Sequence, residues 1–114
     1  MAKNSWLQQN EQTAEGFLHA ITKAVKYINE AESTSVAPYL TKYFEGIKES
    51  SISASIERYK TIDSWRTELS MTEESFNRLQ DIIENAGELS RRATLNELVN
   101  NTYAKKVYKE IYKK

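Results

Sequence analysis

Hydrophobic positions recur every three or four residues along this chain and nowhere alternate over the length of a strand, which predicts helices throughout. Between residues 11 and 30, Phe17, Ile21, Ala24, Val25 and Ile28 share one face, and Asn10 stands where it can cap the first turn. A second helix is expected behind Ser35, with Val36, Leu40, Tyr43, Phe44 and Ile47 as its stripe. Pro38 falls in the first turn of that helix, where no N–H is needed, and Gly46 ends it. A third helix begins at Ser50 or Ser51 and aligns Ile52, Ile56 and Tyr59 ahead of Ile62 and Trp65.

The fourth helix carries the fullest set of signals: Thr72 as cap, Met71 and Phe76 as a hydrophobic staple, and Gly87 as its stop. Phe76, Leu79, Ile82, Ile83 and Ala86 lie on one side of it, opposite Glu73, Asp81 and Glu84, so a one-sided core contact is expected. Thr94 and Glu97 have the spacing of a capping box, for a short turn bearing Leu95, Leu98 and Val99. Thr102 starts a last helix, on which Tyr103, Val107 and Ile111 sit four apart beside Tyr108, while Lys105, Lys106 and Lys109 point away. The fold class is all-α: five or six helices in a small bundle, one helical domain over residues 1–114, strongest near 11–30, 72–86 and 102–112.

Composition narrows the function classes. With 24 Leu, Ile, Val and Phe residues in 114, the chain supports one small core at most. Sixteen basic residues balance sixteen acidic ones, which argues against a general nucleic-acid binder. The absence of cysteine excludes a disulfide framework, thiolate catalysis and Cys-based zinc sites. No apolar run is long enough to cross a bilayer, and no basic segment followed by an apolar one opens the chain as an export signal.

Chemistry-bearing residues are sparse. His19 is the one histidine, and Glu15 lies one helical turn before it, the spacing of an acid–base couple. Both fall on the polar side of their helix with Lys26, which reads as a solvated pair. The stretch 68–88 holds six carboxylates and one arginine; these face outward rather than into an apolar pocket, unlike the carboxylates of a glycosidase. The last fourteen residues hold five lysines, whose charge suits a helix C-terminus and whose stems cover apolar surface. Arg91 and Arg92 follow Gly87, where a capping or salt-bridge role outweighs an anion site. No phosphate-binding loop, nucleophile elbow, HExxH or calcium loop is present. Catalytic, cofactor-binding and metal-ligating residues are therefore expected to be none, ligand-binding residues are unassigned, and an enzymatic role is not expected.

Five segments in order form a recognisable series: NEQTAEGFLHAITKAVKYIN from Asn10 to Asn29, Val36 to Phe44, IERYKTIDSW from Ile56 to Trp65, MTEESFNRLQDIIENAGEL from Met71 to Leu89, and LVNNTYAK from Leu98 to Lys105. The series resembles the C-terminal end of the substrate-binding proteins of ABC importers, in the branch serving nitrate, alkanesulfonates, taurine and thiamine-pyrimidine precursors. The resemblance rests on an N-(P)-E step with Glu11 where proline is common, on Arg58, Tyr59, Asp63 and Trp65, and on Met71, Glu74, Phe76, Arg78, Leu79, Gln80 and Asp81. It covers nearly the whole chain. Members of that family are much longer, with two α/β lobes clamping the ligand, and this chain contains no strand-like segment.

The resemblance implies a fragment corresponding to the C-terminal helical part of a two-lobed periplasmic-binding-protein-like fold. It implies a non-catalytic, extracytoplasmic component, a membrane-anchored lipoprotein or periplasmic in the full-length context, whose partners are an ABC permease and the N-terminal lobes absent from this chain. A small-molecule solute would be held only by the full-length protein, and no ligand contact transfers to a numbered residue here. The alternative is a free-standing helical protein–protein interaction module. Adjacent permease and ATPase genes would favour the first reading. Helices built to lie on a sheet leave apolar faces uncovered, so a homodimer is expected, with Val36, Leu40, Tyr43, Ile56, Tyr59, Tyr103, Val107 and Ile111 in the contact.

Overall fold

Seven α-helices and one 3-10 turn follow one another in the computed structural model, which describes residues 2–113, and no strand occurs among the described residues. They are α1 (Asn4–Gln9), α2 (Glu11–Glu30), α3 (Ser33–Leu40), the 3-10 turn Thr41–Tyr43, α4 (Glu49–Thr61), α5 (Glu73–Asn85), α6 (Leu95–Leu98) and α7 (Thr102–Tyr112). Five helices of eight residues or more make the all-α bundle expected; α1 is a further short helix ahead of α2. No helix among the described residues is long and apolar enough to cross a membrane.

Several boundaries follow local chemistry. Thr72 caps α5, its side chain accepting the Ser75 N–H at 3.1 Å. Gly87 ends α5 at φ +76, with Gly87 N–H on the Glu84 carbonyl and Glu88 N–H on the Ile83 carbonyl, the two bonds of a Schellman turn. The same pair of bonds closes α4, Asp63 N–H to Lys60 and Ser64 N–H to Tyr59, but here Asp63 takes the left-handed position at φ +52. The capping box before α6 forms, with Thr94 N–H donating to Glu97 Oε2 at 2.6 Å.

Other boundaries differ from expectation. Asn10 does not cap α2; its Nδ2 turns back to the Trp6 carbonyl at 2.9 Å and closes α1. α3 starts before Ser35 and stops at Leu40, so Pro38 sits at its sixth position, with no N–H for the Thr34 carbonyl. Past Leu40 the chain tightens into the 3-10 turn, and Tyr43, Phe44 and Ile47 leave the stripe and are exposed. α4 begins at Glu49, ahead of Ser50 and Ser51, behind Lys48.

The core is small and lies between α3 and α4, where Val36, Ala37, Ile52 and Ile56 are buried and Ile28, Ala31 and Leu40 pack on them. Ser53 and Ser33 share a hydroxyl bond at 3.0 Å across that pair. Lys60 Nζ reaches the Ala31 carbonyl at 2.5 Å and Asn29 Nδ2 the Trp65 carbonyl at 2.9 Å, tying α4 and its exit to α2. α1 and α7 pack on α2. α5 touches the other helices only lightly and buries Phe76 and Gln80.

Two predicted apolar faces are covered only in part. On α2 the buried residue is Thr22, at 2% exposure, while Phe17 is 65% exposed and Ala24 is open; Ile21, Val25 and Ile28 are half-buried. On α5, Ile82 is 62% exposed, and Leu79 and Ala86 also face water. The radius of gyration, 17.1 Å, exceeds the roughly 13 Å of a compact chain this long. The accessible surface is 8854 Å², against about 6,400 Å² for a compact monomer of this mass, an excess of about 2,400 Å². The physical reason is that packing gathers a single small cluster between α3 and α4, while large apolar side chains such as Phe17, Ile47, Ile82 and Leu98 stay exposed.

Candidate interaction surface

The polar side of α2, read from sequence as solvated, is the side that α7 covers. Glu11 Oε1 accepts the Tyr103 hydroxyl at 3.1 Å, Glu15 Oε1 accepts Lys106 Nζ at 2.5 Å, and His19 Nε2 meets Glu110 Oε2 at 2.8 Å. Lys26 Nζ then lies 5.0 Å from the centre of the Tyr112 ring. The pairs ascend together, so α2 and α7 run parallel, with Thr22 and Val107 buried along the same packing. Glu15 and His19 therefore do not form a couple with each other; each answers a residue 91 positions away. Lys106, expected to point away, reaches across to Glu15 and remains exposed at the edge of the seam.

The seam shifts its own titrations. The hydrogen bond that Lys106 donates to Glu15, then the charge of Glu15, hold Lys106 above the usual lysine range. Burial, then the bond to Glu11, raise the Tyr103 phenol, and burial, then Glu30 and Tyr108, raise Tyr112. The Tyr112 hydroxyl is buried with no hydrogen-bond partner among the described residues. Among the described residues no group of three or more His, Cys, Asp or Glu side chains is placed to hold a metal ion.

The acidic stretch is also engaged. Arg92 Nη1 lies 2.8 Å from both Asp81 Oδ1 and Glu84 Oε2, and its pKa is raised by those two bonds. Arg91 reaches Glu97 at 3.4 Å, and the Thr94 bonds hold the Glu97 carboxyl below the usual range. These arginines strap the connection 86–94 to its neighbours, as a salt-bridge role requires. Of the terminal lysines, Lys113 lies over the Tyr108 ring at 5.7 Å.

Several positions in the motif series act as clasps on backbone. Gln80 takes both polar groups of Ala93, and Asn101 takes both of Met71, its Oδ1 accepting the N–H at 3.0 Å and its Nδ2 donating to the carbonyl at 2.8 Å. Asn29 holds the Trp65 carbonyl, Asp63 turns the chain, and Trp65 stands edge-on to Tyr59 at 5.8 Å. Isolated Gln and Asn residues carry no periodic signal, so only their place in the motif series pointed to them.

Two apolar openings remain. A groove of about 580 Å³ runs between α1, α2 and the segment around α6, lined by Trp6, Phe17, Leu18, Met71, Leu98 and Tyr103 among others. A cleft of about 300 Å³ lies between α3, α4 and Trp65, lined by Leu40, Phe44, Ile47, Ile56 and Tyr59. Both are lined mostly by apolar side chains. The indole N–H of Trp65 is buried with no hydrogen-bond partner among the described residues.

No protein-family model matches the chain. No solved structure matches it. It is 34% identical over 110 residues to a Bacillus subtilis (strain 168) protein named "Putative binding protein YtlA", a match covering 96% of this chain and 33% of the relative. The chain thus spans about a third of the length of the curated relative it matches.

Proposed function

We propose that this chain serves as the C-terminal helical part of an extracytoplasmic solute-binding component of an ABC importer of the nitrate, sulfonate, taurine or thiamine-precursor class. The observation that carries the reading is the likeness over 110 residues to a relative that is named a binding protein and is three times as long. A binding rather than catalytic role agrees with that name. The motif series supports the finer class, and the large accessible surface agrees with helices that complete a bigger body. On this reading the partners are the two α/β lobes and an ABC permease, on the extracytoplasmic side of the membrane.

A solute of this kind is held between two lobes by converging polar groups, and the openings seen here are mostly apolar. Calorimetric titration of this chain alone with nitrate, taurine, an alkanesulfonate or a thiamine-pyrimidine precursor is therefore expected to be flat. The deciding experiment is a chimera in which this chain replaces the matching third of the Bacillus relative. It should bind the solute its parent binds, with an affinity within about tenfold. A chimera that folds cooperatively yet binds none of them would overturn the reading.

A further inference from the structure

Beyond the transport reading, and independently of it, we infer that an opening between α1, α6 and the start of α7 is a binding site for a neutral polyhydroxylated molecule of monosaccharide size. The opening has a volume of about 340 Å³, at the small end of ligand pockets. Leu7, Val99 and Tyr103 line it and are half-buried, whereas Asn4, Gln8, Asn96 and Asn100 are exposed, which makes a floor with an amide rim. Asn4 and Gln8 stand one helical turn apart on α1, and Asn96 and Asn100 bracket the end of α6, so the carboxamides converge from two sides. Elsewhere in the fold such side chains grip backbone: Asn10 holds Trp6, Asn29 holds Trp65, Gln80 holds Ala93 and Asn101 holds Met71. Around this opening the side chains of Asn4, Gln8 and Asn96 make no hydrogen bond among the described residues, and Asn100 uses only its Oδ1, which accepts the Thr102 N–H at 3.0 Å.

Charge decides the class of ligand. The lining includes no cationic side chain, so an anion such as nitrate would meet no counter-charge there. Glu97, the one charged residue of the lining, has both oxygens engaged: Oε2 accepts the Thr94 N–H at 2.6 Å, and Oε1 faces Arg91 at 3.4 Å. What remains is a set of carboxamides, each with two donor hydrogens and an acceptor oxygen, and a hydroxyl group is the neutral partner that answers both. The C–H face of a sugar ring would rest on the floor of Leu7, Val99 and Tyr103. The walls are held in advance. The Thr94–Glu97 box fixes α6, the Tyr103 hydroxyl donates to Glu11 at 3.1 Å, and Asn101 clasps Met71, so little ordering is left for the ligand to impose.

The probes are glucose, galactose, mannose and inositol, titrated into the isotope-labelled chain and followed by its backbone amide resonances. Those of 4–8 and 96–103 are expected to shift saturably with at least one probe, at a dissociation constant of about 1–10 mM, as suits a small ligand at an open site. Gln8→Leu on α1 and Asn96→Leu on α6 each remove one rim amide from an exposed position, and each should raise that constant about three- to tenfold with an unchanged helical spectrum. Gln9→Leu, exposed on α1 outside the lining, should leave it unchanged. No saturable shift with any of the four probes up to about 100 mM would overturn the inference. So would shifts that both rim variants leave unaltered, or nitrate saturating the same resonances more tightly than any of the probes.

Discussion

Gln80 pairs with the backbone of Ala93 as one strand pairs with another: its Oε1 accepts the Ala93 N–H at 2.7 Å and its Nε2 donates to the Ala93 carbonyl at 3.1 Å. Gln80 is buried, so neither Ala93 group has a ready substitute in water once the amide is removed. Gln80→Leu keeps the volume and orphans both groups, and should cost about 1–3 kcal/mol in urea unfolding. Gln80→Glu retains the acceptor only and should fall between. An unchanged midpoint for Gln80→Leu would mean that the strap 86–94 is held by Arg92 alone.

The two helix stops make opposite predictions. Asp63 occupies a left-handed position that disfavours every side chain except glycine and, weakly, Asn and Asp. Asp63→Gly should therefore stabilise the chain by about 0.5–1 kcal/mol. Gly87→Ala should destabilise it by about 1 kcal/mol, through backbone strain alone, since a Cβ at that position meets nothing within 4 Å. Differential melting of the two variants checks both signs.

Burial separates residues of the same type. Ile56 is in the α3–α4 core and Ile82 is open to water, although both lie on predicted stripes. Ile56→Ala should cost about 2–5 kcal/mol, while Ile82→Ala should stay within about 0.5 kcal/mol of the parent. Equal losses at the two positions would show that α5 is covered in solution.

Alkaline pH should release α7 first. Lys106, Tyr103 and Tyr112, each held above its ordinary value, are all on that helix. A raised folded pKa contributes stability that is complete below the unfolded value, about 10 for these groups, and is lost as pH rises through the folded value. Amide exchange over 102–112 should accelerate above about pH 10 ahead of exchange in α4. Simultaneous loss of both would place the α2–α7 seam within one cooperative unit with the core. On the acid side Glu97, whose carboxyl is held low by Thr94, should loosen α6 only as pH falls below about 4.5.

Most helices were legible in the residues because their signals are local. The Thr72 cap, the Gly87 stop and the Thr94–Glu97 box act over three to five residues, and each forms where it is read. The signals that misled were also local but had a rival nearby. Asn10 could cap forward or backward, and the free carbonyl of Trp6 took it. Ser35, Ser50 and Ser51 were eligible caps, yet the helices already begin ahead of them. Of the residues expected in a dimer contact, Val36, Ile56 and Val107 are buried within the chain, whereas Tyr43 and Tyr59 remain exposed.

The all-α class and the position of the long helices were set by the amino-acid order alone, since period and capping residues act without reference to distant segments. Which side of each helix is covered was settled by packing. The spacing of apolar residues names the face that gains most from burial, but it cannot supply a partner. α2 shows the reason: Glu11, Glu15 and His19 find complementary groups on α7, 91 or 92 residues away, and that pairing fixes the helix by its polar side. The α3–α4 core draws in Ile28 from the apolar stripe of α2 and Ile21 and Val25 stay half-buried, while Phe17 at the head of the stripe faces outward.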